Sequence, residues 1–109
     1  MFIEAINAGL SAGETGVSRD EAKRLIAGGL LCFLADLQGG RDPGRCASHL
    51  YCLAKLCCAL CGPEKDRCMA MLMVCASLDG GPAPDIKKAV GEYLGLSGDA
   101  LDAALKTVL

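Results

Sequence analysis

The sequence predicts an all-α protein: a single domain over residues 1–109 with five to six helices packed around a central cysteine-rich helical hairpin. Apolar residues recur at steps of three and four along most of the chain, which is the spacing of one face of an α-helix. Glycine and proline interrupt this pattern where one helix must end before the next begins. Seven of the eight cysteines fall between Cys46 and Cys75, and Gly62-Pro63 divides that stretch into two arms.

The composition limits what this protein can be. A chain of 109 residues suffices for one hydrophobic core. That core must be aliphatic and sulfur-rich, because aromatic residues make up only 4% of the chain and tryptophan is absent. The net charge of −2, with both signs scattered, argues against a nucleic-acid partner. The longest apolar run, residues 69–76, is far shorter than the ~20 residues of a membrane span.

The amino-terminal residues predict the compartment and the first two helices. They carry no basic segment ahead of an apolar one, so we expect a cytoplasmic protein; a secreted protein that has lost its leader is the alternative. Apolar spacing predicts a short helix over residues 2–10. Ser18 and Glu21 form a capping box that opens a second helix, which runs to about Leu37. Gly28-Gly29 inside this helix predicts a close crossing with another helix, since each glycine costs about 1 kcal/mol there.

The cysteine-rich hairpin consists of two predicted helices, over about 45–61 and about 64–78. The second is apolar nearly all round, with Met69 and Met73 on the side away from its cysteines. Such a helix is central, or it meets another subunit. We therefore expect self-association or a protein partner. The first helix places six residues on one face: Cys46, Leu50, Leu53, Cys57, Leu60 and Cys61.

The end of the chain predicts two more helices and contains an internal similarity. Pro84 starts a helix that runs to about Leu94, and the last helix covers residues 98–108. Residues 31–44 are similar to residues 72–85 at an offset of 41. Two readings stay open: two helices that end in the same glycine and proline residues, or two stacked pseudo-repeats.

The segment 71–105 contains an apolar helix that ends in Ala76-Ser-Leu-Asp-Gly80, a second helix, the break Gly95-Leu-Ser97 and a final helix. This order resembles the second half of TerB-like domains, the tellurite-resistance-associated helical family. The resemblance implies an all-helical fold. It also implies a cation site, formed in that family by the acid beside the glycine and an acid about seven residues on. Asp79 matches the first position and Asp85 lies one place before the second, while the cysteines have no counterpart.

Disulfide bonds are the interpretation that we favour for the cysteines. Eight cysteines in a short chain are typical of a disulfide scaffold, although thiols in the cytoplasm usually stay reduced. Two antiparallel arms that turn at Gly62-Pro63 bring residues into register when their numbers sum to about 126. The cysteines then pair as Cys57 or Cys58 with Cys68, and Cys52 with Cys75, while Cys32 with Cys46 would span the intervening loop.

Three other interpretations stay open. Reduced cysteines could serve as small hydrophobic residues of a crowded core, with positions 46, 57, 61, 68 and 75 facing inward. A thiol oxidoreductase could use Cys58 and Cys61, although we expect that C-x-x-C at the end of a helix rather than at its start. A soft-metal site for Cu(I) or zinc would use thiolate ligands. Its candidate ligands are Cys57, Cys58, Cys61 and Cys68, with Cys75 or His49 as an alternative fourth.

The functional prediction follows from these alternatives. The residues show no other catalytic constellation, so an enzyme is the less favoured class. We expect a non-enzymatic helical interaction or structural module stiffened by its cysteines, with a protein partner or a second copy of itself. The alternatives are a Cu(I)- or zinc-binding thiolate protein and a C-x-x-C thiol oxidoreductase.

Overall fold

The computed structural model describes residues 2–13, 16–40, 42–76 and 83–108, and for 83–85 the description covers the backbone alone. These residues contain six α-helices joined by turns. No strand occurs within these ranges, so the predicted all-α fold is confirmed. The helices, in chain order, are α1 (Phe2–Ser11), α2 (Arg19–Gln38), α3 (Pro43–Cys57), α4 (Gly62–Ala76), α5 (Ala83–Leu94) and α6 (Gly98–Val108).

Side-chain caps begin the second and third helices. The Glu21 backbone N–H donates to the Ser18 hydroxyl at 3.2 Å, as the predicted capping box requires. Asp42 caps α3, where its carboxylate accepts from the Gly44 N–H at 3.0 Å. Pro43 occupies the first helical position, which needs no hydrogen-bond donor. These caps satisfy backbone donors that a helix start otherwise leaves unpaired.

The α3–α4 hairpin lies at the centre of the molecule. Helix α3 packs against α1, α2 and α4, while α4 also contacts α1 and α5. Helix α6 lies against α2 and α5. The radius of gyration of 12.8 Å is close to the ~13 Å of a single domain of about 100 residues. No helix in the described part of the chain is both long enough and apolar enough to cross a membrane.

Two glycines mark where helices approach α3 most closely. A Cβ added at Gly9 of α1 would lie 2.8 Å from the Cβ of Ala54. A Cβ added at Gly29 of α2 would lie 2.9 Å from a methyl carbon of Leu53. The crossing predicted at Gly28-Gly29 is therefore present, and Gly29 forms it, because a Cβ at Gly28 would meet open space.

The hairpin turn differs from its predicted position. Helix α3 ends at Cys57 rather than at 61, and Gly62 begins α4 at φ +59, a backbone conformation that favours glycine. Residues 58–61 form the reversal, so Cys61 is exposed, and its predicted core-facing position is wrong. The predicted end of α4 at residue 78 lies outside the described residues. So does part of the internal similarity, residues 77–82.

Candidate functional site

A buried sulfur cluster lies between α3, α4 and α5. Cys68, Met71 and Cys75 follow one another on α4 at steps of three and four, so they share the face that packs into the core. Cys57 is the last residue of α3 and lies against the first turn of α4. Cys57, Cys68 and Cys75 are completely buried, and Met71 is nearly so.

The members of this sulfur cluster lie close together. Cys57 of α3 and Tyr93 of α5 are near enough to Cys68 to influence its ionisation. Cys75 Sγ lies 3.7 Å from the Met71 sulfur. Cys68 therefore lies at the centre of a cluster that joins three helices.

The pKa of Cys68 is lowered, whereas the pKa values of the groups around it are raised. Hydrogen bonding from Cys57, assisted by Tyr93, lowers the pKa of the Cys68 thiol, although burial and the neighbouring Cys75 oppose this. The hydrogen bond to Cys68 raises the pKa of the Cys57 thiol, and burial adds to the effect. Burial, followed by the charge of Cys68, raises the pKa of Tyr93. Burial also raises the pKa of Cys75 to about 12. Cys68 is thus the thiol of this cluster whose ionised form is stabilised.

The four predicted metal ligands do not lie together. Cys57 and Cys68 lie together in the sulfur cluster. Cys58 faces α1 instead, with its Sγ 3.5 Å from the Leu10 carbonyl oxygen, and Cys61 is exposed. Within residues 2–13, 16–40, 42–76 and 83–108, no group of three or more His, Cys, Asp or Glu side chains is placed to hold a metal ion.

All eight cysteines are free thiols in the structure, so none of the disulfide bonds that the sequence favours is present in it. Sequence register places residues at the same height on two helices, but the direction of each side chain around its helix decides whether two sulfurs meet. Cys58 is turned away from Cys68 and towards α1. In two further predicted pairs one cysteine is exposed and the other is buried: Cys52 with Cys75, and Cys32 with Cys46.

A polar cluster, separate from the sulfur cluster, joins α2 to α3. The sequence analysis did not predict it. Asp36 is only 5% exposed, and its Oδ2 accepts from His49 at 2.7 Å and pairs with the Arg45 guanidinium at 3.1 Å. Burial, followed by the negative charges of Asp36 and Asp42, raises the pKa of the nearby Cys46 thiol. The sequence signal was available: an acid inside the apolar stripe of α2 needs a partner on the facing helix.

An open groove of about 290 Å³ runs between α4 and α5. On α4, Val74 lines the groove and is 38% exposed. Met73, which precedes it, is 50% exposed, as expected for the side of α4 that carries Met73. Met69, which the sequence placed on that side too, is partly buried against the core. The groove is lined mainly by Arg67, Met71, Val74, Ala89, Glu92 and Tyr93.

Comparison with known proteins identified no relative of this chain. No protein-family model matches the chain, and no curated protein or solved structure is similar to it at a significant level. Asp79 and the Asp85 side chain lie outside the described residues, so the cation site implied by the TerB-like resemblance stays a prediction. The class that the geometry defines is an all-helical protein with a buried sulfur cluster and a surface groove lined by both apolar and charged residues.

Proposed function

We propose that the protein is a non-enzymatic helical module that associates with a second copy of itself through the groove between α4 and α5. The observation that carries this proposal is the exposure of Val74, which lines the groove, and of Met73, which precedes it on the same helix. Large apolar side chains that are exposed together, rather than singly, are typical of interaction surfaces. Methionine suits such a surface because its flexible side chain adapts to its partner.

The cysteines support the structural half of this proposal. Four of them are buried, and they act as small apolar residues where α3 meets its neighbours. The burial of positions 46, 57, 68 and 75 supports the reduced-core interpretation. A closely packed α3–α4 hairpin holds the groove-bearing face of α4 rigid, which lowers the entropy cost of association.

The charges of the groove favour a second copy as its occupant. Arg67 and Glu92, of opposite sign, line the same groove. A two-fold dimer brings the same surface patch of both subunits together, so a patch with both signs is complementary to itself. Arg67 is already positioned, because its guanidinium lies 5.3 Å from the centre of the Tyr93 ring and donates to the Tyr93 carbonyl oxygen at 3.2 Å. In the dimer, Arg67 of each subunit would pair with the partner's Glu92.

The other two functions that the sequence leaves open have less support. Soft-metal binding and thiol oxidoreduction both rely on Cys58 and Cys61. Cys58 faces α1, and Cys61 is exposed in the turn before α4. No observation on the described residues favours either function, and both stay predictions.

Sedimentation velocity of the reduced protein over a wide concentration range tests the proposal. We expect a reversible monomer–dimer equilibrium. Val74→Glu should weaken dimerisation at least tenfold, about 1.4 kcal/mol, because Val74 lines the groove and the variant places a charge in the apolar contact. Leu25→Glu is the matched control, since Leu25 is 43% exposed on α2 and lies outside the groove lining. A protein that stays monomeric at every concentration overturns the proposal.

A charge exchange tests the two-fold arrangement. Arg67→Glu alone should weaken the dimer, because it opposes the partner's Glu92 with a like charge. The double variant Arg67→Glu/Glu92→Arg should recover most of the lost affinity. If the double variant dimerises no better than the single one, the proposed pairing across the two-fold axis is wrong.

A further inference from the structure

A cavity of about 340 Å³, separate from the α4–α5 groove, lies in the corner between α5 and α6. Its lining is largely apolar and includes Leu101 of α6, which is almost completely buried, and the partly buried Leu96 of the connecting turn. The Leu96 N–H donates to the Gly91 carbonyl oxygen at 2.9 Å, which holds the turn against the end of α5. The volume lies within the range of small-molecule sites, about 300–1,000 Å³.

A glycine without a side chain leaves this cavity open at the first residue of α6. Gly98 lines the cavity, and a Cβ added there would meet nothing within 4 Å. The φ of Gly98 is not positive, so its backbone conformation does not require glycine. A larger side chain at this position would therefore occupy the open space without straining the backbone.

Two lysines of α5 border the cavity, and they differ in their partners. Lys87 is partly buried, and its Nζ lies 2.5 Å from Asp102 Oδ1 of α6, so its charge is already paired. Lys88 is exposed, and within the described part of the chain it forms no ion pair. Glu92 lines both this cavity and the α4–α5 groove, so it lies at the boundary between them. Lys88 is therefore the unpaired cation of the cavity.

We propose that this cavity binds a small carboxylate that carries a hydrocarbon chain. The juxtaposition of an apolar lining with an unpaired ammonium group carries the inference. The chain would lie against Leu96 and Leu101, where it leaves water, and the carboxylate would pair with Lys88. The inference is independent of the self-association proposed above, because none of these three residues lines the α4–α5 groove.

The test titrates the whole reduced, isotope-labelled protein with sodium octanoate and follows the backbone amide signals by NMR. We expect saturable shifts that are concentrated at the lining residues Gly91, Leu96, Gly98 and Leu101. Acetate has the charge without the chain, and octylammonium has the chain with the opposite charge. Each should bind at least roughly tenfold more weakly than octanoate. Octanoate shifts that do not saturate, or octylammonium bound as tightly as octanoate, would overturn the inference.

A variant that fills the cavity tests where the chain lies. Gly98→Leu should abolish octanoate binding, because its side chain occupies the space that the ligand needs. Gly28→Leu is the matched control: a Cβ there also meets nothing within 4 Å, but Gly28 lies on α2, outside the cavity. Circular dichroism confirms that each variant is folded, and the comparison of ligands on the wild type decides the question if one is not. A folded Gly98→Leu that binds octanoate as the wild type does would contradict the assigned site.

Charge variants test the assigned partner of the carboxylate. Lys88→Glu should weaken octanoate binding by roughly tenfold or more, whereas Lys88→Arg should retain most of it. Lys106→Glu changes the net charge equally but alters an exposed residue outside the lining, so it should bind like the wild type. Equal losses for Lys88→Glu and Lys106→Glu would contradict a direct contact with Lys88.

A groove variant separates this inference from the proposed dimer. Val74→Glu alters the α4–α5 groove and not the α5–α6 cavity, so it should bind octanoate with the wild-type affinity whether or not the protein dimerises. Loss of octanoate binding in Val74→Glu would place the ligand in the groove and overturn the inference.

Discussion

The His49 imidazole donates from Nε2 to the buried carboxylate of Asp36 at 2.7 Å and so joins α3 to α2. The Arg45 guanidinium approaches the same oxygen at 3.1 Å. A carboxylate that is only 5% exposed is costly without such partners. The cluster is therefore a structural contact between two helices whose strength depends on both partners.

His49→Ala should destabilise the fold by about 1–3 kcal/mol, because it removes a hydrogen-bond donor from the buried Asp36 carboxylate. Urea unfolding under reducing conditions measures the loss. Ser48→Ala is the control, since Ser48 is the exposed neighbour of His49 on α3, and it should change stability by no more than about 0.5 kcal/mol. Equal losses for the two variants would contradict the role of the ion pair.

Gly9→Ala should destabilise the protein by about 1–3 kcal/mol, although alanine is the better helix former. The new methyl group would meet the Tyr51 carbonyl oxygen and the Cβ of Ala54, and backbone atoms cannot move aside easily. Gly28→Ala is the matched control on α2, where a Cβ meets nothing within 4 Å. It should stabilise the protein by up to about 1 kcal/mol. Thermal unfolding of both variants distinguishes the two sites, and a stabilised Gly9→Ala would show that α1 does not approach α3 this closely.

Thiol accessibility should divide the cysteines into two groups in the native, reduced protein. The three exposed cysteines should react with a thiol reagent within the mixing phase, whereas the four buried ones should react only as fast as the protein opens. Timed alkylation followed by peptide mapping measures each rate. Uniform rates across all of these cysteines would show that the sulfur cluster is not buried in solution. The fast group is Cys32, Cys52 and Cys61, and the slow group is Cys46, Cys57, Cys68 and Cys75.

Alkaline pH should destabilise the fold in part through Cys75. Burial raises the pKa of this thiol from 9.0 to about 12, so the folded state keeps a proton that the unfolded chain releases above pH 9. The contribution is present in full below pH 9 and is lost between 9 and 12, by about 1.4 kcal/mol per pH unit. Urea unfolding across this interval should show a shallower decline for Cys75→Ala than for the wild type.

The exposed Cys32 provides the control for this pH dependence, and Cys32→Ala should leave the slope unchanged. Cys68 acts in the opposite sense because its pKa is lowered. Cys75→Ala also removes the pKa-raising effect of Cys75 on Cys68, which makes the alkaline decline shallower still and leaves the predicted direction unchanged. Identical alkaline slopes for Cys75→Ala and the wild type would contradict the assignment of this effect to Cys75.

The fold was predictable because its signals are local. Helix periodicity, the Ser18–Glu21 cap and Pro43 each act within a few residues of the chain, and the structure follows them. The end of α3 was wrong by four residues, because the apolar pattern continues through Leu60 while the backbone is already turning. Leu60 is buried from within the turn, which periodicity cannot distinguish from burial on a helix.

The candidate site was only partly predictable. Hairpin register predicted that Cys57 lies near the first half of α4, where its sulfur contacts the Lys65 carbonyl, because position along two antiparallel helices follows from residue numbers. The same arithmetic also paired Cys52 with Cys75, and it could not exclude Cys58, since it contains no information on which way a side chain points. The Asp36–His49 contact depends on how α2 and α3 are rotated against each other, which no local pattern encodes.

The sequence by itself determined that this protein is helical, where most of its helices begin, and that thiols concentrate at its central turn. Only the tertiary structure decided which thiols are buried and that residues of α3 and α5 surround Cys68 of α4. The reason is physical. Helix formation depends on neighbours within a few residues, whereas contact between sulfur atoms depends on the rotation and crossing of whole helices, which is set by the packing of all six together.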